Sequence, residues 1–203
     1  DAGVHQNRCD NGVGLLVAPG ETSTIVLTEQ LKTVDIKSQL VAVEPLWWQP
    51  AAGTSIVRPE ISLQNNGVPD ADGYVTFELK TFHEGNLILA GYDAKGEIIW
   101  SWHLWFTEDP AMMKSNSFVV MDRNLGALNA TPGDAGSLGL YYQWGRKDPF
   151  VGSGNRNSEF AYTAPENAIT YVEYSSINDN LDYSVQNPTV LMNSSSWNDD
   201  ISY

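Results

Sequence analysis

The sequence has one cysteine, three histidines and only eleven lysines and arginines among 203 residues. The lone Cys9 excludes an internal disulfide and a thiolate metal cluster. A disulfide to another chain stays open, although a spare thiol near a loose end is the plainer reading. Against so few cations stand 25 Asp and Glu, for a net charge of −14. No basic stripe is available to neutralise phosphates, which argues against a nucleic-acid partner. No apolar run approaches the ~20 residues of a membrane-spanning helix. His5, His83 and His103 sit beside no nucleophile motif of the G-x-S-x-G kind. Internal repeats are absent, and no stretch before residue 110 has a helical period.

Short β-branched and aromatic runs separated by turn signals fill the first half. VGLLVAP and TSTIVL flank Pro19-Gly20, and ISLQNNG ends on Asn66-Gly67. GYVTFELKTF alternates in polarity, with Val75 and Phe77 on one side and Thr76 and Glu78 on the other. VAVEPLWWQP is interrupted by Pro45 and Pro50, which predicts an edge strand or a bulge. NLILAGYD and EIIWSWHLWFTED predict a hairpin with Lys95-Gly96 near its tip. The second of these runs has two well-populated faces, so it is either covered on both sides or exposes aromatic surface on one. The spacing predicts a mainly β chain: a tail over 1–11 and an antiparallel β-sandwich over 12–110. The chain begins at Asp1 without Met or a basic-then-apolar leader and stops at WNDDISY. The expectation is a processed polypeptide that continues past Tyr203.

Organisation centres on residues 118–150, FVVMDRNLGALNATPGDAGSLGLYYQWGRKDPF. The stretch reads as a buried strand feeding a long ordered loop, with AMMKSNS before it as a connector. Such a loop needs Asp, Arg and Asn side chains to tie down its backbone groups. Asp122, Arg123, Asn124, Arg146 and Asp148 are therefore read as a structural clamp, with Arg146, Lys147 and Asp148 as partners of the first triplet.

The same stretch resembles the signature of the FISUMP-type major paralogous domain of surface proteins in Bacteroides-like bacteria. GNLILAGYDAKGEIIWSWHLWFTE resembles the strands that lead into it. The likeness covers roughly residues 85–150. Asp122, Arg123, Asn124, Leu125 and Gly126 match the first half of the signature, and Tyr142, Trp144, Gly145, Arg146 and Asp148 the second. The resemblance implies that residues 111–203 are part of a C-type-lectin-like α+β module. A Cys-Pro-x-Gly-Trp-type motif that completes the family's domain is missing here.

Candidate binding residues are Trp47, Trp48, Arg123, Asn124, Trp144 and Arg146. Adjacent strand residues point to opposite faces, so one of Trp47 and Trp48 is expected outside the core or at an interface. Trp100, Trp102, Trp105, Tyr141, Tyr142 and Trp144 can offer stacking platforms for glycans, but alternating aromatics are more often core. His103 reads as hydrogen-bonded structure rather than a general base. Asp70 and Asp72 are weak Ca²⁺ candidates in what looks like a turn; Asn198-Asp199-Asp200 is a further acidic cluster, and no cofactor is expected. The resemblance implies a non-enzymatic, exported adhesion protein, a lipoprotein of the outer membrane or a fimbrium-associated or tip component. Its partners would be other fimbrial subunits, joined by strand addition, and a surface protein or glycan. The alternative is a carbohydrate-binding surface lipoprotein serving glycan capture.

Overall fold

A computed structural model describes residues 14–16, 22–26, 39–50, 60–71, 74–81, 83–107, 110–143, 146–150, 170–172 and 180–192. The tail 1–11 with Cys9, and Asp72, Trp144, Gly145 and residues 198–200, lie outside the described residues. Among those described, the chain is mainly β, with antiparallel pairing predominant. No helix there is long and apolar enough to cross a membrane.

Two sheets carry the first half. One has the order β1 (Gly14–Leu16), β7 (Ile98–Phe106), β6 (Gly85–Tyr92), β3 (Ala42–Pro50). The other has the order β2 (Thr22–Val26), β5 (Tyr74–Thr81), β4 (Glu60–Leu63). All pairs are antiparallel except β1 on β7, which is parallel. The hairpin β6–β7 turns where expected: Asp93 Oδ1 accepts from the backbone N–H of Lys95 (2.8 Å) and of Glu97 (2.9 Å). Gly96 takes the left-handed conformation that closes the turn.

Strand alternation sorts β6 and β7 into two faces. Leu87 and Leu89 with Trp100, Trp102, Leu104 and Phe106 make the first core, joined by Val75 and Phe77 of β5 and by Leu40 and Val43. The opposite face carries Asn86, Ile88, Ser101, His103 and Trp105. Residues 85–91 are all buried, so the sheet is covered on both sides, the first of the two outcomes the sequence left open.

β3 is an edge of its sheet among the described residues, and a bulge falls between Pro45 and Trp47. Proline has no N–H to give to a ladder, which makes this the tolerated place for it. The bulge also sets the register beyond it. Pro45 lies opposite Leu89 and Trp47 opposite Ile88, so Leu46 has no partner of its own. Trp48 thereby joins the first core, while Trp47 and Gln49 turn to the other face. Gly67 brings the turn after β4 against β3. Its φ is +77°, and a Cβ there would sit 2.1 Å from the Val43 carbonyl oxygen.

The second half departs from expectation at its start. The stretch 111–117 is no connector: β8 (Met112–Ser115) pairs with β9 (Phe118–Met121) as a hairpin whose turn has Asn116 at φ +52°. Nor is β9 buried; Phe118 is 73% and Val119 67% exposed. Two strands alone cannot cover both of their own faces, so an apolar composition did not make this strand interior. Further on come β10 (Tyr141–Tyr142) paired with β11 (Pro149–Phe150), and β12 (Thr170–Val172) paired in parallel with β13 (Val190–Met192). The helix α1 (Asn180–Gln186) lies in a region where the sequence shows little periodicity.

Candidate functional site

Gly126, Ala127, Leu140, Lys147 and Asp148 come against the second face of β3, β6 and β7. A small apolar cluster begins the contact, with Trp47 and Ile88 against Leu140. Leu140 N donates to the Leu125 carbonyl (3.0 Å), which folds the loop back on itself. Gly126 makes that closure possible: its φ is +76°, and a Cβ would lie 2.5 Å from Leu140 Cγ.

The loop is then held by polar groups that β6 and β7 present beneath it. Asn86, fully buried, gives one amide hydrogen to Gln49 Oε1 (2.7 Å) and the other to the Gly126 carbonyl (2.8 Å). Its Oδ1 lies 2.8 Å from His103 Nε2. Because Oδ1 only accepts, His103 must donate from Nε2, as the neutral tautomer with its proton there. Trp105 Nε1 donates to the Ala127 carbonyl at 2.8 Å, next along the loop. Carbonyls of consecutive loop residues are thus satisfied from the sheet, as buried polar backbone requires.

Burial lowers the His103 pKa from 6.5 to about 3. The sign of the resulting pH dependence follows. Above pH 6.5 the ring is neutral in both folded and unfolded chains. Below it the unfolded ring takes a proton that the folded one refuses, so stability falls by ~1.4 kcal/mol per pH unit until the folded pKa is reached. Denaturant titrations at pH 7 and pH 5 are expected to differ by about 2 kcal/mol from this group. A His103→Gln variant should lose that difference.

Arg123 and Asn124 each bond a different part of the chain. Arg123 forks onto its neighbour Asp122 (Nε to Oδ1 2.7 Å, Nη2 to Oδ2 3.0 Å) and gives Nη1 to Thr107 Oγ1 at 2.9 Å. The Arg123 hydrogen bonds, ahead of its charge, hold the Asp122 carboxyl below the usual carboxylate range. Asn124 Nδ2 reaches the carbonyls of Ser137 and Leu138, both at 3.3 Å.

Arg146, Lys147 and Asp148 were expected as partners of that triplet, and here the structure corrects the reading: they anchor elsewhere. Lys147 Nζ sits 2.8 Å from both Asp148 carboxylate oxygens, bonds Ser101 Oγ and its carbonyl, and lies 4.5 Å from the centre of the Trp100 ring. Ser101 Oγ donates to Asp148 Oδ1 at 2.5 Å. Desolvation lowers the Lys147 pKa, and the Asp148 charge opposes it. Arg146 points the other way, into the turn between α1 and β13. Its Nη2 serves the carbonyls of Asn187 (3.2 Å), Ser184 and Pro188 (both 3.4 Å), and Nη1 that of Val190. Burial brings its pKa down to about 10, so it stays charged at neutral pH. A cation at these carbonyls complements the C-terminal end of the helix.

No family model, curated protein or solved structure matches this chain.

The remaining site residues are placed as follows. Trp47 is 3% exposed and faces the small core, so it offers no stacking surface. Trp48 is half-buried against the first core. The pair does divide between two faces, but both faces are covered. Trp100, Trp102 and Trp105 are buried, whereas Tyr141 and Tyr142 are exposed at 54% and 41%. Asn124 is exposed at its side of the loop and Arg146 is buried. Asp70 is exposed. Among the described residues, no three His, Cys, Asp or Glu are grouped to hold a metal ion.

Sequence reasoning missed Asn86, Gln49, Ser101, Thr107 and the role of Lys147. A signal for some of them was present. Asn86, Ser101 and His103 are polar residues inside otherwise apolar strands, and a strand covered on both faces keeps such residues only where they have partners.

Proposed function

We propose that the protein is a non-enzymatic, exported adhesion protein, located at the cell surface, in the outer membrane or on a fimbrium, that presents binding surface on a rigid β body. One observation supports this reading: Arg123, Asn124, Arg146 and Lys147 of this stretch give their hydrogen bonds to a hydroxyl, carbonyls and a carboxylate of the chain itself. Residues so engaged position a loop. On this reading, 12–110 form a β-sandwich whose sheets meet through Val75 and Phe77 against β6 and β7, and 111–203 form part of a C-type-lectin-like module. Other subunits would join by strand addition at an open edge, with β3 blunted against misuse by Pro45 and its bulge.

A second reading, capture of glycans at the surface, is favoured by the exposed ring of Tyr141, with Tyr142 on the other face of β10. Purified protein is expected to show no turnover on ester, peptide and glycoside panels while retaining bacterial-surface or glycan ligands. A robust rate removed by one carboxylate substitution would end the adhesive reading. Glycan-array signal reduced roughly tenfold by Tyr141→Ala with Tyr142→Ala would select the glycan form of it.

A further inference from the structure

Among the described residues, the hairpin β8–β9 exposes a run of large apolar side chains. Phe118, Val119, Val120, Met112 and Met113 are all exposed, and they lie on both faces of the two strands. Cross-strand partners share a face, so Phe118, Val120 and Met113 occupy one side, and Val119, Met112 and Lys114 the other. The outer edge of β9 pairs with no other strand among the described residues. The edge of β8 carries Lys114, the charge that keeps an edge from adding strands, whereas β9 has no charge and no proline.

We propose that β9 is a self-association edge: two copies of the chain pair β9 against β9 antiparallel, giving a continuous four-stranded sheet across a two-fold axis. The composition fits such a join. A two-fold normal to the sheet keeps each face on its own side, so residues of equal parity must meet. With Val119 on the axis, it opposes Val119 of the second copy, and Phe118 opposes Val120. These are β-branched and aromatic–β-branched pairs, the combinations that stabilise neighbouring strands. The two Lys114 side chains end three strand spacings apart, roughly 14 Å. No carboxylate lies between residues 112 and 121 to repel a second copy. Two strands become four, which relieves the marginal stability of an isolated hairpin. The joined surface is small, so affinity on the order of micromolar is expected. Each copy carries −14, so association should tighten as salt screens the bodies from one another.

Sedimentation of the whole chain over about 1–100 µM, at roughly 0.05 and 0.5 M NaCl, tests this. The expected result is a monomer–dimer equilibrium that strengthens with salt. Val119→Lys and Val119→Glu should each weaken it roughly tenfold or more, because like charges then meet on the axis. An equimolar mixture of the two variants should restore dimers, which also shows that both are folded. A chain that stays monomeric throughout, or a dimer indifferent to both variants, would overturn the proposal.

Discussion

Replacing Asn86 by Leu is expected to lower folding stability by about 4 kcal/mol, since several buried hydrogen-bonding groups lose their partner at once. The side chain is fully buried and joins three elements: Gln49 on β3, His103 on β7 and Gly126 in the loop. Leucine is close in size, so the penalty does not come from a cavity. It comes from Gln49 Oε1, the Gly126 carbonyl and the His103 N–H, each left in a dry interior where an unmade bond costs roughly 1–3 kcal/mol. Partial rearrangement keeps the total below their sum. Asn86→Asp keeps the acceptor for His103 but sets a carboxylate against the Gln49 and Gly126 acceptors, so its cost combines two lost donors with a buried charge. Urea or guanidinium titration of the two variants measures the difference. Hydrogen exchange at residues 125–128 should rise more than in β5, since the lost anchor is local to that loop.

The consequence for function runs through the same loop. The position of the loop after β9 depends on three anchorages: the Asn86 network, the Arg123 bond to Thr107, and the Lys147–Asp148 pair on Ser101. None of these needs the chain to react with anything. Each aligns a piece of loop with a different point along β6 or β7.

Alternation in residues 74–81 and 98–106 placed Val75, Phe77, Trp100 and Trp102 correctly on one face, because period 2 is intrinsic to a strand. Pro45 marked an edge with a bulge because proline lacks the donor that a central strand would need. The composition of β9 misled for the opposite reason. Phe-Val-Val-Met reads as buried whatever lies beside it, and whether a neighbour covers it is a tertiary fact. The clamp residues were recognisable as a class, since charged side chains at the end of an apolar run require partners. Which partners they take was not legible. Adjacent positions such as Arg146 and Lys147 point in different directions, and only the fold brings Ser101 to one and the turn after α1 to the other.

The second large effect is expected at Asp148. Lys147 and Asp148 have side chains only 6% and 4% exposed, so each relies on the other for compensation. Asp148→Ala leaves an ammonium group with the Ser101 hydroxyl and carbonyl, the face of Trp100 and no opposite charge. Breaking one side of a buried pair in this way costs about 3–5 kcal/mol. The wild-type pair itself need not stabilise that much, because desolvation of both ions offsets most of their attraction. Adding Lys147→Met to Asp148→Ala should therefore recover most of the loss, and a double-mutant cycle in denaturant measures the coupling. The pH dependence gives an independent check. Without Asp148, desolvation of Lys147 acts unopposed and its folded pKa falls further below 10.5. Over the range between that pKa and 10.5 the unfolded chain holds the proton and the folded chain does not, so stability of the single variant rises with pH. A deficit that shrinks between pH 7 and pH 10 in Asp148→Ala, and stays flat once Lys147→Met is added, locates the penalty on the buried ammonium. A deficit independent of pH in both would place it in lost packing around Ser101 instead.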